Sequence, residues 1–304
     1  MRLACYLDTA GTVWAGVVGP DDTVTPFAGG DASATGAQAE LVAAAAAARP
    51  PDPVGDPCAL GSVRLLAPVG APPSIRDFYA FEAHVATARA GRGLEMDPDW
   101  YEQPVFYFTN PAAVHGPEED VVIPAGTSAM DYELEVAAIV GVECRDVDAD
   151  GWLDVVAGFT IMNDWSARDL QQREMRQGLG PAKGKDFATS LGPVLVTPDE
   201  LHDAASGRPR AAMVARVDGD EWSRGDLGDL HFGWGELVAH ASRHTVLRPG
   251  DVLGSGTVGT GCILELAATH GDDRYPWLRP GQVVECEVEG IGVLRNRVVG
   301  SPLG

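Results

Sequence analysis

Three carboxylates in two separate segments of the chain could together bind a hard divalent cation. Glu133 and Glu135 flank Leu134, and Asp164 lies 31 positions after Glu133. Charged oxygen ligands suit such an ion, and a site built from them leaves coordination positions for water and substrate. The residue types therefore predict a metal site if the fold brings the two segments together.

The strand that would carry the glutamates covers residues 131–140. Its side chains alternate with a period of two, so that Asp131, Glu133 and Glu135 would share one face. A solvated strand face is the alternative interpretation of this pattern. The apolar continuation at 137–140 favours burial, and neighbouring buried glutamates repel each other unless a cation lies between them.

The second acidic segment predicts a helix over about 164–178, directly after the apolar run at 159–162. Asp164 could bind a metal, cap this helix, or pair with Arg168 four residues later, and these roles do not exclude one another. Gln171 lies three residues after Arg168 and therefore on the same helical face. The segment thus offers two further polar groups to the same site.

The elements that must position these groups are mostly strands, separated by glycine and proline turns. The segment 1–25 alternates like a β-hairpin, and a connector rich in proline and aspartate follows at 51–56. We place a domain boundary near residue 68, which predicts a small N-terminal subdomain, 1–68, and a larger domain, 69–304. Helices are predicted over about 40–49, 77–90, 164–178 and 234–246.

Composition narrows the class of partner. The formal net charge is −22, from 22 basic and 44 acidic side chains, which argues against a nucleic acid or an anionic membrane as partner. No apolar run is long enough to span a bilayer. The cysteines are odd in number and lack C-x-x-C spacing, so we expect free thiols and a cytoplasmic protein. They are Cys5, Cys58, Cys144, Cys262 and Cys286.

Several motifs in one order resemble the fumarylacetoacetate hydrolase family over about residues 65–300. They are Glu133–Glu135 (ELE), 163–171 (NDWSARDLQ), 184–193 (GKDFATSLGP), 254–257 (GSGT) and 289–296 (EGIGVLRN). The resemblance implies an α+β, mainly β fold, with a mixed β-roll catalytic domain after a small N-terminal α/β subdomain. It also implies a bound Mg²⁺, Ca²⁺ or Mn²⁺ ion, and usually a homodimer.

Within the family, the segment 77–84 resembles most closely that of fumarylacetoacetase-like hydrolases. This resemblance implies that Asp77 is a metal-side carboxylate, that Tyr79 contacts substrate and that His84 is catalytic. Glu265 follows the GSGT turn where such enzymes carry the glutamate that orients the histidine. A carboxylate there would set the imidazole tautomer and raise its basicity. On its own, a single histidine on a helix is more often structural.

The resemblance also assigns roles to other polar side chains. The predicted donors to a developing oxyanion are Arg168, Gln171 and Lys185. The predicted substrate-binding residues are Tyr79, Thr257 and Arg92. Taken by itself, Lys185 could equally be an exposed loop lysine. Many relatives have a lysine after an aromatic strand, whereas the corresponding segment of this chain, Phe106–Pro111, has none. The missing positive charge would weaken recognition of a substrate carboxylate near this strand.

Together these features predict a metal-dependent hydrolase that cleaves a carbon–carbon bond in a β-diketone or acylpyruvate-type substrate. The cation would chelate the dicarbonyl, and His84 would activate water. The alternative is a metal-dependent 2-oxo acid decarboxylase, isomerase or hydratase of the same family. A third hypothesis is a binding protein that keeps the scaffold without catalysis.

One glycine motif imitates a dinucleotide-binding sequence. Residues 254–259 match G-x-G-x-x-G. Such a site needs a helix that begins inside the motif and a βαβ unit around it. Residues 260–264 predict a strand instead, so we do not expect a nucleotide cofactor.

Overall fold

Strands form most of the regular structure in the computed structural model, which describes residues 1–30, 33–203 and 208–302. Within these ranges the α-helices are α1 Ala34–Ala46, α2 Glu82–Ala90, α3 Arg168–Met175, α4 Trp234–Ser242 and α5 Ile263–His270. The strands are β1 Arg2–Leu7, β2 Val13–Val18, β3 Thr23–Gly29, β4 Cys58–Ala59, β5 Arg64–Leu66, β6 Ile75–Phe78, β7 Phe106–Thr109, β8 Val114–His115, β9 Asp120–Val122, β10 Met130–Asp131, β11 Leu134–Val140, β12 Cys144–Arg145, β13 Val156–Asp164, β14 Ser166–Ala167, β15 Thr189–Val196, β16 His202–Asp203, β17 Arg208–Pro209, β18 Ala212–Val217, β19 Asp220–Asp226, β20 Val246–Leu247, β21 Val252–Gly254, β22 Val283–Val288 and β23 Gly292–Val299.

Two mixed sheets organise these strands. The larger has twelve strands, ten of them in the order β4-β3-β2-β1-β15-β13-β11-β21-β6-β7, with β5 paired to β1 and β8 paired to β15. The smaller has five strands in the order β19-β18-β22-β23-β9. Strand β21 runs parallel to β6 and antiparallel to β11. The expected α+β, mainly β fold class is confirmed.

The buried apolar side chains form two clusters, and the apolar residues of β11 alternate between them. Leu134 and Val136 lie in the apolar cluster shared with the five-stranded sheet, which supplies Met213. Ala137 belongs to a second cluster, beneath helix α1. Because successive strand residues point to opposite faces, a strand buried on both sides contributes to both clusters. The central strand is therefore fully buried.

The N-terminal hairpin is confirmed as β1 and β2, which pair from Arg2 to Leu7. Strand β1 also pairs with β15 through Arg2 and Leu3. The larger sheet therefore contains strands from both sides of the predicted boundary at residue 68. The boundary at residue 68 stays a prediction. Helix α1 begins earlier than expected, because Ser33 caps it by accepting the Gly36 N–H at 3.3 Å.

Three other predicted elements differ from the structure. The helix expected from residue 77 begins at Glu82, because Asp77 lies in β6 and pairs with Gly254 and Tyr107. The helix expected from Asp164 begins at Arg168, because Asp164 ends β13. Residues 260–264 do not form a strand; they lead into helix α5. In the first two cases strand pairing with distant segments overrides the local pattern.

Helix α4 ends at Ser242, four residues short of the predicted end at 246, and Val246 already belongs to β20. None of the helices in the described ranges combines the length and the hydropathy needed to cross a bilayer.

Candidate active site

Three carboxylates share one face of the larger sheet, on neighbouring strands. Asp77 is on β6, Glu135 on β11 and Asp164 at the end of β13, with β21 between β6 and β11. Two positions away on each strand stands an apolar side chain of the cluster beneath α1: Ile75, Ala137 and Met162. The period of two therefore directs all three carboxylates to the same side.

Glu133 joins these three from the loop just before β11. Ligand oxygens of Asp77, Glu133, Glu135 and Asp164 all lie within 4.8 Å of one another, and all four side chains are buried. The loop is held by Asn163, whose side-chain oxygen accepts the Glu133 N–H at 2.9 Å. The alternative of a solvated strand face is thus wrong for both glutamates.

Gly254 provides the space that the acidic cluster needs. A Cβ at this position would lie 2.5 Å from Asp77 Oδ1 and 2.7 Å from Met162 Cε. Gly256, with φ +80°, donates its N–H to Glu135 Oε2 at 3.1 Å, and its own Cβ would lie 2.4 Å from the Phe78 carbonyl oxygen. The glycines of the GSGT segment therefore shape the carboxylate site, which explains the motif without a nucleotide.

Lys185 contacts two of the four carboxylates. Its Nζ donates to Glu133 Oε2 at 2.5 Å and to Asp164 Oδ2 at 2.6 Å. The side chain is only 3% exposed, so the interpretation as an exposed loop lysine is wrong. Two of its three ammonium hydrogens are used by these carboxylates, which leaves one for a further acceptor.

Arg168 lies on the other side of Glu133. Its Nη2 donates to Glu133 Oε1 at 2.7 Å, and its Nε donates to Asp131 Oδ2 at 2.8 Å. Its Nη1 donates to Gln171 Oε1 at 3.0 Å, so the predicted shared helical face is confirmed. The alternative interpretations of Asp164, as a partner of Arg168 or as a cap of the helix, are wrong. Arg168 pairs with Asp131 and Glu133, and the N-cap of α3 is Ala167.

Electrostatics distinguish the four carboxylates. Burial, together with the charges of Asp164 and Glu133, raises the pKa of Asp77 well above its usual value. Burial and the charge of Asp77 do the same to the pKa of Glu135. Burial also opposes ionisation of Glu133, but Lys185, Arg168 and, less strongly, His84 outweigh it and lower the pKa. Repulsion among the carboxylates thus remains only partly compensated by the protein's own cations.

The acidic cluster fits a hard divalent cation. Among the described residues, Asp77 Oδ1 and Asp164 Oδ1 are buried and accept no hydrogen bond. Buried polar atoms normally have a partner, and leaving them without one is costly. Four converging carboxylates, two of which have an oxygen without a hydrogen-bond donor, match the oxygen-rich site that Mg²⁺, Ca²⁺ or Mn²⁺ prefers.

The predicted dyad is brought together by two helices. His84 on α2 places Nδ1 2.8 Å from Oε2 of Glu265 on α5, a contact with the distance but not the angle of a hydrogen bond. Both side chains are buried. The Thr260 N–H donates to Glu265 Oε1 at 3.3 Å, and the Tyr79 ring packs edge-on against His84 at 5.3 Å. The arrangement leaves Nε2 of the imidazole free of the carboxylate.

The remaining predicted substrate residues differ in position. Thr257 donates its hydroxyl to Glu135 Oε1 at 3.3 Å, so it lies at the acidic cluster. Arg92 is exposed in the turn after α2, where its Nε donates to the Ala88 carbonyl at 3.1 Å. Arg92 is not brought to the carboxylates by any contact in the described part of the chain, and its substrate role stays a prediction.

Sequence reasoning gave no site role to three polar side chains that the structure places there. Tyr107 donates its hydroxyl to Asp164 Oδ2 at 2.5 Å. Asp131 is buried and accepts the N–H groups of Ile263 and Leu264, besides Arg168, so it joins α3 to the start of α5. Cys262 lies beside Glu265. Tyr107 left a signal as the one hydroxyl between two phenylalanines of an alternating strand, and Asp131 left one in its predicted alternation with the two glutamates.

Comparisons with known proteins identify relatives of this chain. The sequence profile of a family described as fumarylacetoacetate (FAA) hydrolase C-terminal matches residues 74–299. The human mitochondrial oxaloacetate tautomerase is 33% identical over 203 residues, which cover 65% of this chain and 60% of that protein.

Two solved structures resemble the whole chain. A 5-carboxymethyl-2-hydroxymuconate delta-isomerase from Mycobacterium smegmatis has a TM-score of 0.72 and 28% identity, and covers 99% of this chain and 100% of its own. A fumarylacetoacetate hydrolase from Exiguobacterium antarcticum has a TM-score of 0.75 and 26% identity, with the same coverage. The similar proteins thus carry the names of different reactions.

Proposed function

The chain belongs to the fumarylacetoacetate hydrolase family, and from this premise we propose that it is a metal-dependent hydrolase of a carbon–carbon bond. The substrate would be a β-diketone or an acylpyruvate-type compound. The observation that carries the proposal is the buried pair of His84 and Glu265, near the acidic cluster. The pair supplies a base for water, which a hydrolase needs and a simple binding protein does not.

The acidic cluster would hold the cation through Asp77, Glu133, Glu135 and Asp164. When bound, a divalent cation supplies Lewis-acid polarisation of the substrate oxygens. Lys185 and Arg168 keep Glu133 ionised and so preserve at least one strong oxygen ligand at neutral pH. The third ammonium hydrogen of Lys185 remains for an oxygen of the substrate, in line with its predicted role as a donor.

His84 would act through Nε2, because Nδ1 faces Glu265. The imidazole takes a proton from water, and the hydroxide oxygen forms a bond to the carbonyl carbon. The carbon–carbon bond then breaks, and its electron pair passes to the leaving carbon, next to the second carbonyl. His84 returns the proton to that carbon, so the base is regenerated. Glu265 sets the imidazole tautomer throughout.

A second function of the same site is isomerisation or tautomerisation of a 2-oxo acid. It is favoured by the names of two similar proteins, a delta-isomerase and an oxaloacetate tautomerase. In that reaction His84 would carry a proton from one carbon to another, without attack by water. Decarboxylation and hydration of 2-oxo acids are further variants of the alternative.

Product analysis separates these functions. The purified protein with Mg²⁺ would be incubated with an acylpyruvate and, separately, with oxaloacetate, and the products followed by mass spectrometry in ¹⁸O-labelled water. Hydrolysis predicts two carboxylate products, one with a new ¹⁸O atom. An unchanged mass with a shifted double bond would favour the isomerase instead. No turnover of either compound, with Mg²⁺ bound, would contradict both.

We also propose that the protein binds its small-molecule substrate as a homodimer, as the resemblance implies. An exposed apolar side chain, Phe108, on the edge strand β7 supports an association of this kind. Edge strands with apolar side chains are surfaces on which other chains pair.

A further inference from the structure

Cys262 occupies a position that brings its thiol next to the dyad. It is the N-cap residue of α5, and Glu265 is the third residue of that helix. This spacing is that of a capping box, but the thiol makes no capping bond to the main chain and contacts the Glu265 carboxylate instead. Here the usual serine or threonine is a cysteine, and Cys262 Sγ lies 3.5 Å from Glu265 Oε2.

The thiol completes a group of three different metal-binding atoms. Ligand atoms of His84, Cys262 and Glu265 lie within 4.8 Å of one another, and all three side chains are buried. None of these residues belongs to the acidic cluster formed by Asp77, Glu133, Glu135 and Asp164. The molecule therefore contains two adjoining groups of ligands with different chemistry.

We propose that His84, Cys262 and Glu265 bind a thiophilic divalent cation, such as Zn²⁺ or Cd²⁺, at a site separate from the hard-cation site. Sulfur and imidazole ligands prefer these ions, whereas a group of carboxylates prefers Mg²⁺ or Ca²⁺. Three protein ligands are a usual set for zinc, with water or another small ligand in the fourth position.

The distance from Cys262 to Glu265 and the charge fit such an ion, and the 2.8 Å between His84 Nδ1 and Glu265 Oε2 would lengthen by about 0.5 Å around it. With about 2.3 Å for Zn–S and about 2.0 Å for Zn–O, two ligands of a tetrahedral zinc lie roughly 3.5 Å apart. The observed distance from Cys262 Sγ to Glu265 Oε2 is 3.5 Å. A thiolate and a carboxylate neutralise the two charges of the ion, which favours binding at a buried position. Binding transfers the thiol proton to solvent and forms the S–metal bond, without oxidation or reduction.

A bound thiophilic ion has a consequence for turnover. It occupies the carboxylate that orients His84 and one nitrogen of the imidazole, so the pair no longer activates water. Zn²⁺ is therefore an inhibitor that does not compete with Mg²⁺. This consequence rests on the proposed function, whereas the binding site itself does not.

The test uses Cd²⁺ as the probe, added to the whole protein in the presence of excess Mg²⁺. Charge-transfer absorption from thiolate to cadmium reports sulfur ligation directly, and its titration gives the stoichiometry. We expect saturation at one thiolate-bound ion per chain. Cys262→Ser, which keeps the side-chain size and the spacing of the capping box, should lose the absorption. Cys286→Ala, at another fully buried cysteine, on β22 and outside the group of three ligands, should retain it.

Two results would overturn the site: no charge-transfer absorption in the folded protein, or the same absorption in Cys262→Ser. If Cys262→Ser does not fold, His84→Ala tests the site from α2. The Cd²⁺ affinity of this variant should fall by at least about tenfold, because mutation of a residue that only supports a metal ligand already has an effect of that size. An unchanged affinity would refute the proposal.

Turnover is measured separately with Zn²⁺ at concentrations that saturate the site. Inhibition that excess Mg²⁺ does not relieve, and that weakens by at least about tenfold in Cys262→Ser, supports the inhibitory role. Uninhibited turnover with the site saturated would overturn that role. If no substrate is turned over at all, the proposed function fails, while the absorption experiment still decides the binding site.

Discussion

Glu133 is a carboxylate on whose pKa burial and neighbouring cations act in opposite directions. Burial raises its pKa, but contacts of 2.5 Å with Lys185 and 2.7 Å with Arg168 lower it further than burial raises it. It therefore stays ionised beside three carboxylates that burial and mutual repulsion drive towards the protonated form. An ionised ligand is what a divalent cation needs to displace protons from the others.

Glu133→Gln tests this role. The amide keeps the size of the side chain but removes the charge, and it leaves Lys185 and Arg168 with one anionic partner fewer. We expect the Mg²⁺ affinity to fall by at least about tenfold, measured by isothermal titration calorimetry. The control is Glu221→Gln, an exposed glutamate that pairs only locally, with Arg224. Equal Mg²⁺ affinities in both variants would exclude Glu133 as a ligand.

His84→Ala separates water activation from metal binding. Removal of the base should lower turnover by roughly 10²- to 10⁴-fold, the usual contribution of general base catalysis. Mg²⁺ affinity should change little, because His84 is not one of the proposed ligands of that ion. His270→Ala is the matched control, since His270 is exposed at the end of the helix that carries Glu265. Unchanged steady-state rates in His84→Ala would show that the dyad is not the base.

The raised pKa values of Asp77 and Glu135 predict how pH acts on the metal-free protein. A carboxylate whose pKa is higher in the folded state binds more protons there, so its contribution to stability is complete below the unfolded-state pKa and is lost as pH rises towards the folded-state value. Bound Mg²⁺ replaces these protons, so its affinity should increase with pH. The melting temperature with and without Mg²⁺ should therefore differ more at about pH 8 than at about pH 6. A difference that shrinks with pH would contradict this assignment.

At the scale of elements, strand β21 decides whether the carboxylates can meet. It lies between β6, which carries Asp77, and β11, which carries Glu135. Gly254 ends this strand without a side chain, and Gly256 follows with a positive φ that directs its N–H to Glu135. The short strand thus acts as a spacer whose last residue, Gly254, has no side chain and leaves room for the site.

Gly254→Ala tests the spacer. The added Cβ would lie 2.5 Å from Asp77 Oδ1, a contact that forces the carboxylate or the strand to move. We expect a loss of about 1–3 kcal/mol in the free energy of unfolding, as for other overpacked sites, together with weaker Mg²⁺ binding. Urea denaturation and calorimetry measure the two effects. Gly61→Ala is the control, because nothing lies within 4 Å of a Cβ at that position. If both variants bind Mg²⁺ like the parent protein, Gly254 does not shape the site.

Helices α2 and α5 show how distant segments form the proposed catalytic pair. His84 and Glu265 are 181 positions apart, and they meet because α2 packs against α5. Asp131 anchors the first turn of α5 through two main-chain N–H groups and, through Arg168, ties that turn to the acidic cluster. The dyad and the carboxylates are thereby held in one rigid arrangement, as preorganised catalysis requires.

At the scale of the whole molecule, the larger sheet exposes an edge at β7. Phe108 on this strand is 62% exposed, and Arg76 lies over its ring at 5.0 Å. We expect a homodimer of this 31.9 kDa chain, which light scattering after size exclusion would detect as twice the chain mass. Phe108→Lys should weaken a dimer that uses this edge, because a charge on an edge strand disfavours pairing. A single-chain mass for the parent protein would contradict the expectation.

The sequence by itself determined which chemical groups the protein has and which of them are candidates for a site. Glu133, Glu135 and Asp164 could be recognised from their type as candidate metal ligands. The order of the family motifs added Asp77 as a further candidate ligand and His84 with Glu265 as a candidate catalytic pair. These inferences were possible because ligand chemistry depends on residue type, and motif order survives in the linear chain.

Tertiary structure alone decided how those groups are paired. Lys185 rather than Arg168 contacts Asp164, Tyr107 joins the same carboxylate, and Cys262 reaches the dyad. Asp77 and Asp164 were placed on predicted helices, yet both lie on strands. Local patterns do not contain this information, because strand register and helix packing join segments far apart in the chain, and these contacts override local propensity.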